Sequence, residues 1–520
     1  MKQTYLILSV SLVLLASSCK KDLNQVPISA ATTSTFYQQP SDFIQGINAA
    51  YNSLRGYPDR LLFLSEVRSD NIYPTNDVGR DPDPINNFSK GIAPNVYVEE
   101  AWTANFSGIF KANTVLDQIA KNGGYAGSPA LATRLTAEAK FLRAFYYFDL
   151  VRYFGKVPVI DHPVTAVEAT QIGRSAVADV YALIIADLQF AVANLPANYS
   201  GAFPAYGATD IGRATRYAAE AILAEVYMAR SGPTYGADGP GLGLTEWTQA
   251  SVLLTDIINS NLFVFNPAFA GATGIFSYTN QSPSYSGTGN REAVFDVLYL
   301  TGQSPVLGAT FPWQMVPNGY FTSLPAGNTP ANGALGIPSV SLNLYNSYAA
   351  TDVRRSPTFH TTPYTNLGTL DTKPFYRKYL DTTKIPTSRF DWGINFIAVR
   401  YTDILLLKAE CVLNGAAGSQ ATDVDAVVNQ VRTRAGLTAL AAVTKAQLMD
   451  ERRREFAGEG SRWFDLQRSG NLVTTMNAWA AVEDAVIHKV NPVTANFIVY
   501  PVPQSQLDAV PGLYTQSPGY

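Results

Sequence analysis

The sequence predicts a mainly α protein in which irregular helix pairs pack against a loop-rich segment carrying a few short strands. Three observations lead there. The stretch from Ser128 to Ile160 reads as one long helix that is apolar on more than one face. Segments on either side of it repeat the helical period. Between about residues 262 and 395 that period stops, and Gly, Ser, Pro, Thr and Tyr dominate.

The long helix carries its own end signals. Ser128 is placed to cap it, with Pro129 at the first helical position, where a missing N–H costs nothing. Gly155 supplies a left-handed residue after the last turn, and Pro158 prevents a restart. A helix over 129–154 would be roughly 39 Å long. Ala137, Phe141, Ala144, Phe148 and Val151 form one apolar stripe, while Leu131, Leu135, Leu142, Phe145 and Tyr146 form an adjoining one. A helix apolar on two faces must lie between neighbours, so stacked helix pairs are expected.

The other elements follow in order. Helices are expected near 41–54 and over 99–119, where Trp102, Phe106, Ile109 and Val115 mark an apolar side. Two more are expected over 175–194 and over 213–230, the latter alanine-rich at packing positions. Another covers 247–260, after a glycine-rich stretch, Gly236 to Gly243, that reads as a flexible surface loop. The aromatics scattered through 262–395 argue for ordered loops and short strands. Helical order resumes over 398–414 and 422–434, a hairpin closed by Gly415 and Gly436. The pairs resemble tetratricopeptide repeats, without a strict 34-residue period.

With 520 residues and 47% hydrophobic composition, the chain can bury a large core. A net charge of −3 leaves no basic excess to neutralise phosphates, which argues against a nucleic-acid partner. At the N-terminus Lys2 precedes an apolar run, Tyr5 to Leu15, too short to span a bilayer and followed by Ala16, Ser17 and Ser18 before Cys19. That pattern is expected of a lipoprotein signal, with Cys19 acylated and anchored to a membrane. Cys411 then has no partner and reads as a small core residue.

Catalytic and metal chemistry finds little support. His162, His360 and His488 are isolated, so no metal site is expected, and no motif calls for a cofactor. The interleaved charges and aromatics of 451–470, ERRREFAGEGSRWFDLQRSG, could form an acid pair or an anion site. Arginine forks holding carboxylates in a structural network are the favoured reading.

Six segments, in order, resemble one family: AEAKFLRAFYYFDLVRYFGKVPVI, RATRYAAEAILAEVYMAR, VRYTDILLLKAECVLNG, VNQVRTRAGL, ERRREFAGEGSRWFDLQRSG and VYPVPQSQLDAVPGLYTQSPGY. Together with the N-terminal Cys19 pattern they are similar to the SusD/RagB proteins of Bacteroidetes. The resemblance implies a SusD-like fold and a non-enzymatic, surface-exposed outer-membrane lipoprotein. Such a protein binds an oligosaccharide and delivers it to a SusC-like TonB-dependent transporter, acting as its lid. Peptide ligands in the same role are one alternative; an α-helical glycoside hydrolase is another. The chain would then divide into a signal peptide (1–18), a lipid-anchored tether (19–35) and one domain (36–520). That domain has a helical part to about 231 and, from about 262, a loop-rich ligand-binding insertion followed by the C-terminal part.

A sugar presents flat C–H faces and polar edges, so its site needs an exposed aromatic platform beside amides, carboxylates or guanidiniums. Trp313 with Tyr320, and Trp392, lie in the irregular segment; Asp70, Asn71, Tyr73 and Arg80 precede the second helix. These seven are the candidate ligand contacts, from loops corresponding broadly to those that bind ligand in the resembled family. Trp102 and Trp463 fall within helical patterns and are expected in the core.

Overall fold

A computed structural model of the protein describes residues 36–73, 81–198, 210–281, 291–324, 339–366, 369–418 and 421–520. The expected signal peptide and tether, Cys19 and Arg80 lie outside the described residues. Helix accounts for 52% of the chain and strand for 6%, which settles the mainly α class.

The N-terminal layer holds α1 (Pro40–Asn52), α2 (Val96–Asn122), α3 (Pro129–Phe154), α4 (Val177–Asn194), α5 (Arg216–Ser231) and α6 (Trp247–Asn259). Each packs on the next in sequence from α2 to α6, the stacked-pair arrangement expected. α3 begins and ends where its signals place it. The Ser128 hydroxyl accepts from the Leu131 N–H, and Gly155 follows at φ +65°. Every residue from Phe141 to Gly155 is buried, so the helix is enclosed on all sides by α2, α4 and the C-terminal segment. Enclosure also buries its charges, and each finds a partner: the Arg143 guanidinium grips Asp187 of α4 through two bonds of 2.7 and 2.9 Å.

α2 starts at Val96 rather than Glu99, because the Asn95 side chain caps it by accepting from the Tyr97 N–H. The stretch from Gly236 to Gly243 is not the free loop expected. Gly239, Pro240 and Gly241 are buried, and the loop packs on the end of α3.

The loop-rich segment contains three two-stranded antiparallel ribbons. β1 (Ala293–Val297) pairs β6 (Phe396–Arg400), β2 (Phe359–His360) pairs β5 (Phe375–Tyr376), and β3 (Tyr364–Asn366) pairs β4 (Thr369–Asp371). Short helices the sequence did not announce lie between them, Phe311–Gln314 and Leu342–Asn346 among them. β6 corrects the expected helix start at 398, since α7 covers only Tyr401–Leu413. A short apolar run such as FIAV carries no periodicity that separates strand from helix, and the partner strand decides.

α7 packs on α6 and on α8 (Ala421–Arg434), followed by α9 (Lys445–Glu455), α10 (Arg462–Ser469) and α11 (Leu472–Glu483). The charges of 451–470 form the structural network. Glu455 of α9 accepts from Arg354 at 2.9 Å and Arg400 at 2.9 Å, and also pairs Arg434. Arg452 forks onto Asp465 with two 3.0 Å bonds. Because Arg354 and Arg400 come from the loop-rich segment, this network clamps that segment to the helical layer. Cys411 is fully buried in α7.

Candidate functional site

The chain approaches the first nominated loop through a π-helical turn, Leu62–Glu66, and the wide turn brings Ser65, Glu66 and Arg68 inside the protein. The residues that follow are fixed by groups far away in sequence. The Asp70 carboxylate accepts from Arg462 at 2.8 and 2.9 Å and pairs Arg453 at 3.1 Å. Burial alone would raise this carboxyl, yet the Arg453 and Arg462 guanidiniums overcome it and hold it at about 2. The Asn71 amide donates to Glu66 at 2.9 Å and its oxygen accepts from Arg453 at 2.9 Å. The Tyr73 hydroxyl donates to Asp484, while its ring meets Trp479 edge-on at 5.8 Å.

The second nominated region is brought to the same place. Ile72 and Val340 form an antiparallel bridge: the Tyr73 N–H donates to the Ser339 carbonyl at 2.9 Å and the Ser341 N–H to the Asn71 carbonyl at 2.9 Å. The chain segments 74–80 and 325–338 are therefore bounded by residues held side by side. Around this bridge the exposed side chains include Leu342 and Val482, tied together where the Glu483 carboxylate accepts from the Leu342 N–H at 2.7 Å.

The nominated side chains themselves are enclosed. Asp70, Asn71, Tyr73, Trp313, Tyr320 and Trp392 are each at most 8% exposed. The solvent-facing indole expected at Trp313 or Trp392 is absent at both positions. Trp392 pairs its backbone with Ala309 and packs near Phe321, and the Arg389 guanidinium lies 4.8 Å from the centre of the Trp313 ring. Tyr320 joins a cluster with His360 and Phe375 at ring distances of 4.6 and 5.1 Å. The physical reason is volume: large flat rings in a segment with little regular structure are what that segment uses as a core. Trp102 and Trp463 are buried as expected.

Sequence reasoning missed the groups that hold the first loop from below, Trp479, Asp484 and Arg453. Arg453 was visible in the charged run of 451–470; Trp479 and Asp484 belong to no pattern.

Both Asp70 and Asp484 are occupied by buried partners, and His360 has its pKa lowered by burial and by Arg377. Of the other histidines, His162 sits on the surface between Asp161 and Glu168 at 2.8 and 3.0 Å.

Comparison with known proteins bears on this arrangement. A family model described as "Starch-binding associating with outer membrane" matches residues 31–228, and one described as "SusD family" matches residues 355–520. A SusD-like protein of Formosa agariphila is 26% identical over 512 residues, covering 91% of each chain. A SusD-like protein of Bacteroides ovatus is 26% identical over 494 residues, covering 90% of this chain and 82% of that one. Among solved structures, surface glycan-binding protein A from Bacteroides thetaiotaomicron in complex with laminarihexaose superposes with a TM-score of 0.74 at 22% identity, covering 93% of this chain and all of the other. A SusD homolog from the same species superposes with a TM-score of 0.75 at 19% identity over 94% of this chain and 98% of that one. The six ordered segments, the family models at both ends and relatives aligned along nearly the whole length agree: this chain belongs to the SusD/RagB family.

Proposed function

We infer that the protein binds an oligosaccharide at the outer face of the outer membrane and passes it to a SusC-like TonB-dependent transporter, over which it closes as a lid. Lipid on Cys19 holds it there, and it performs no catalysis. The observation that carries this reading is the Ile72–Val340 bridge, which holds Tyr73 beside Ser339, together with Arg453 and Arg462, which fix Asp70 next to it. A preorganised frame lowers the ordering cost of binding a flexible chain of sugars. Arg80 is taken among the ligand contacts, and Asp70, Asn71 and Tyr73 fix the backbone at the bridge. The relatives described as glycan-binding, one of them in complex with laminarihexaose, support the ligand class.

Calorimetric titration of the full chain against a panel of neutral oligosaccharides, with a peptide mixture in parallel, tests it. Glycan binding without product release is expected. Binding of peptides alone would replace the ligand class, and sugar products appearing in the mixture would overturn the non-enzymatic reading. Co-purification of a large barrel protein from membranes checks the transporter partner.

A further inference from the structure

The tether between Cys19 and Phe36 carries an apolar cluster. Its only aliphatic side chains larger than alanine, proline apart, are Leu23, Val26 and Ile28, and Pro27 stands between the last two. A spacer has no need of them. Proline restricts itself and the residue before it to extended backbone, so Val26-Pro27 favours a polyproline-like strand. At three residues per turn such a strand puts Leu23 and Val26 on one face, and Leu23 to Ile28 spans about 16 Å.

The body of the protein offers an apolar groove of matching length. A concavity of about 490 Å³ runs between α2, the chain after α3 and the C-terminal residues 506–514. Its walls include Trp102, Phe106 and Phe110 of α2, together with Ile172, Leu513 and Tyr514. The stretch of α2 that lines it, Trp102 to Asn113, is about 16 Å long. At its edge Phe110 is left 52% exposed.

The position of the chain start, its reach and its charge bring segment and groove together. The described chain begins beside α2: Phe36 meets Tyr37 edge-on at 4.8 Å, and a Cβ on Gly46 would touch both the Tyr37 hydroxyl at 2.7 Å and a Val115 methyl at 3.2 Å. Val115 lies two residues past Asn113, so the tether leaves the body near one end of the groove. The eight residue steps from Phe36 back to Ile28 reach up to about 26 Å, enough to pass around a helix about 10–12 Å across. With Ile28 at the Asn113 end, Lys20 and Lys21 arrive at the Trp102 end. There Glu99 lies one turn before Trp102, and Asp508 is exposed on the short helix Gln504–Ala509, whose Ser505 hydroxyl donates to Glu99 at 2.6 Å.

We propose that Leu23–Ile28 docks along this groove, with Pro27 against the aromatic rings and Leu23, Val26 and Ile28 on the apolar walls. Aromatic-lined grooves are the surfaces on which extended, proline-containing segments dock. The attachment is intramolecular, so an effective concentration of about millimolar lets a weak contact hold. Docking shortens the free leash from the 17 residues of 19–35 to the four from Cys19 to Asp22, and it turns the α2 and C-terminal face toward the membrane. That consequence for orientation rests on the lipid anchor proposed above; the docking itself does not.

Hydroxyl-radical footprinting compares the mature chain carrying Cys19→Ala, which has no lipid, with the same chain carrying Val26→Asp and Ile28→Asp in addition. Oxidation of Phe110, Leu513 and Tyr514 is expected to rise about fivefold in the second protein, while that of Phe390, exposed in the loop-rich segment, stays unchanged. A synthetic peptide of residues 20–31, added to the second protein at millimolar concentration, should restore the protection. From the groove side, Phe110→Asp should let thermolysin cut at Val26 and Ile28 about tenfold faster, a readout independent of the tether variants. Equal oxidation in the two proteins overturns the proposal. So does protection found only in the lipidated protein, which would make an acyl chain the occupant, or protection lost on dilution, which would make it a second copy. Membrane fractionation unchanged by Cys19→Ala, with the footprint intact, would remove the lipid reading and leave the docking standing.

Discussion

The carbonyl oxygen of Asp238 stands 1.6 Å from where a Cβ on Gly155 would be. Gly155 also holds φ +65°, so two independent constraints exclude a side chain there. Gly155→Ala should therefore destabilise the protein by about 3 kcal/mol or more, or leave it insoluble. Urea denaturation compared with a control such as Gly173→Ala, where nothing lies within 4 Å of an added Cβ, gives the answer.

Asp70→Asn removes the charge that neutralises Arg453 and Arg462, leaving two guanidiniums buried without it. A loss of about 3–5 kcal/mol is expected, with weakened glycan binding because the bridged backbone at Ile72 loses its support. The pH dependence has a definite sign. The folded-state pKa of Asp70 is depressed to about 2, so its contribution is present above the unfolded value near 3.8 and disappears as pH falls toward 2. In the variant that part of the acid transition should vanish.

Asp296 behaves in the opposite sense. Burial pushes its carboxyl up to about 7, against the lowering effect of its own backbone N–H and the Asn395 amide. A raised acid contributes stability that is complete below the unfolded value and is lost as pH rises through 7. Asp296→Asn does not titrate, so it should gain on the wild type by about 2–4 kcal/mol between pH 4 and pH 8. Urea midpoints of both proteins at the two pH values measure the difference, and the other buried carboxyls cancel in the comparison.

Trp392 is fully buried, so Trp392→Ala should cost about 3–5 kcal/mol, while Trp392→Phe keeps most of the packing. Glycan affinity of the phenylalanine variant should match the wild type. A large loss of affinity at unchanged stability would return Trp392 to the ligand.

Cys19→Ala should move the protein from the membrane to the soluble fraction. Unchanged fractionation would remove the lipid anchor from the functional reading.

The helical layer was legible because its signals are local. Ser128, Pro129 and Gly155 bound α3 to the residue, and its two stripes announced neighbours on both sides. The charged run of 451–470 was legible as a network, although its partners Arg354, Arg400 and Glu292 were not, since nothing in their own surroundings marks them. The strand β6 was read as helix for a similar reason, its pairing with β1 being distant in sequence.

For the candidate site the division is sharper. The sequence alone determined which family the chain resembles, because that rests on residue identities in order, and it nominated two regions as candidate ligand contacts. It could not say that Trp313 and Trp392 face inward or that Ile72 meets Val340. An aromatic in an irregular segment has no period to reveal its direction. Only the tertiary structure decides, because burial depends on which distant surfaces compete to cover the same ring.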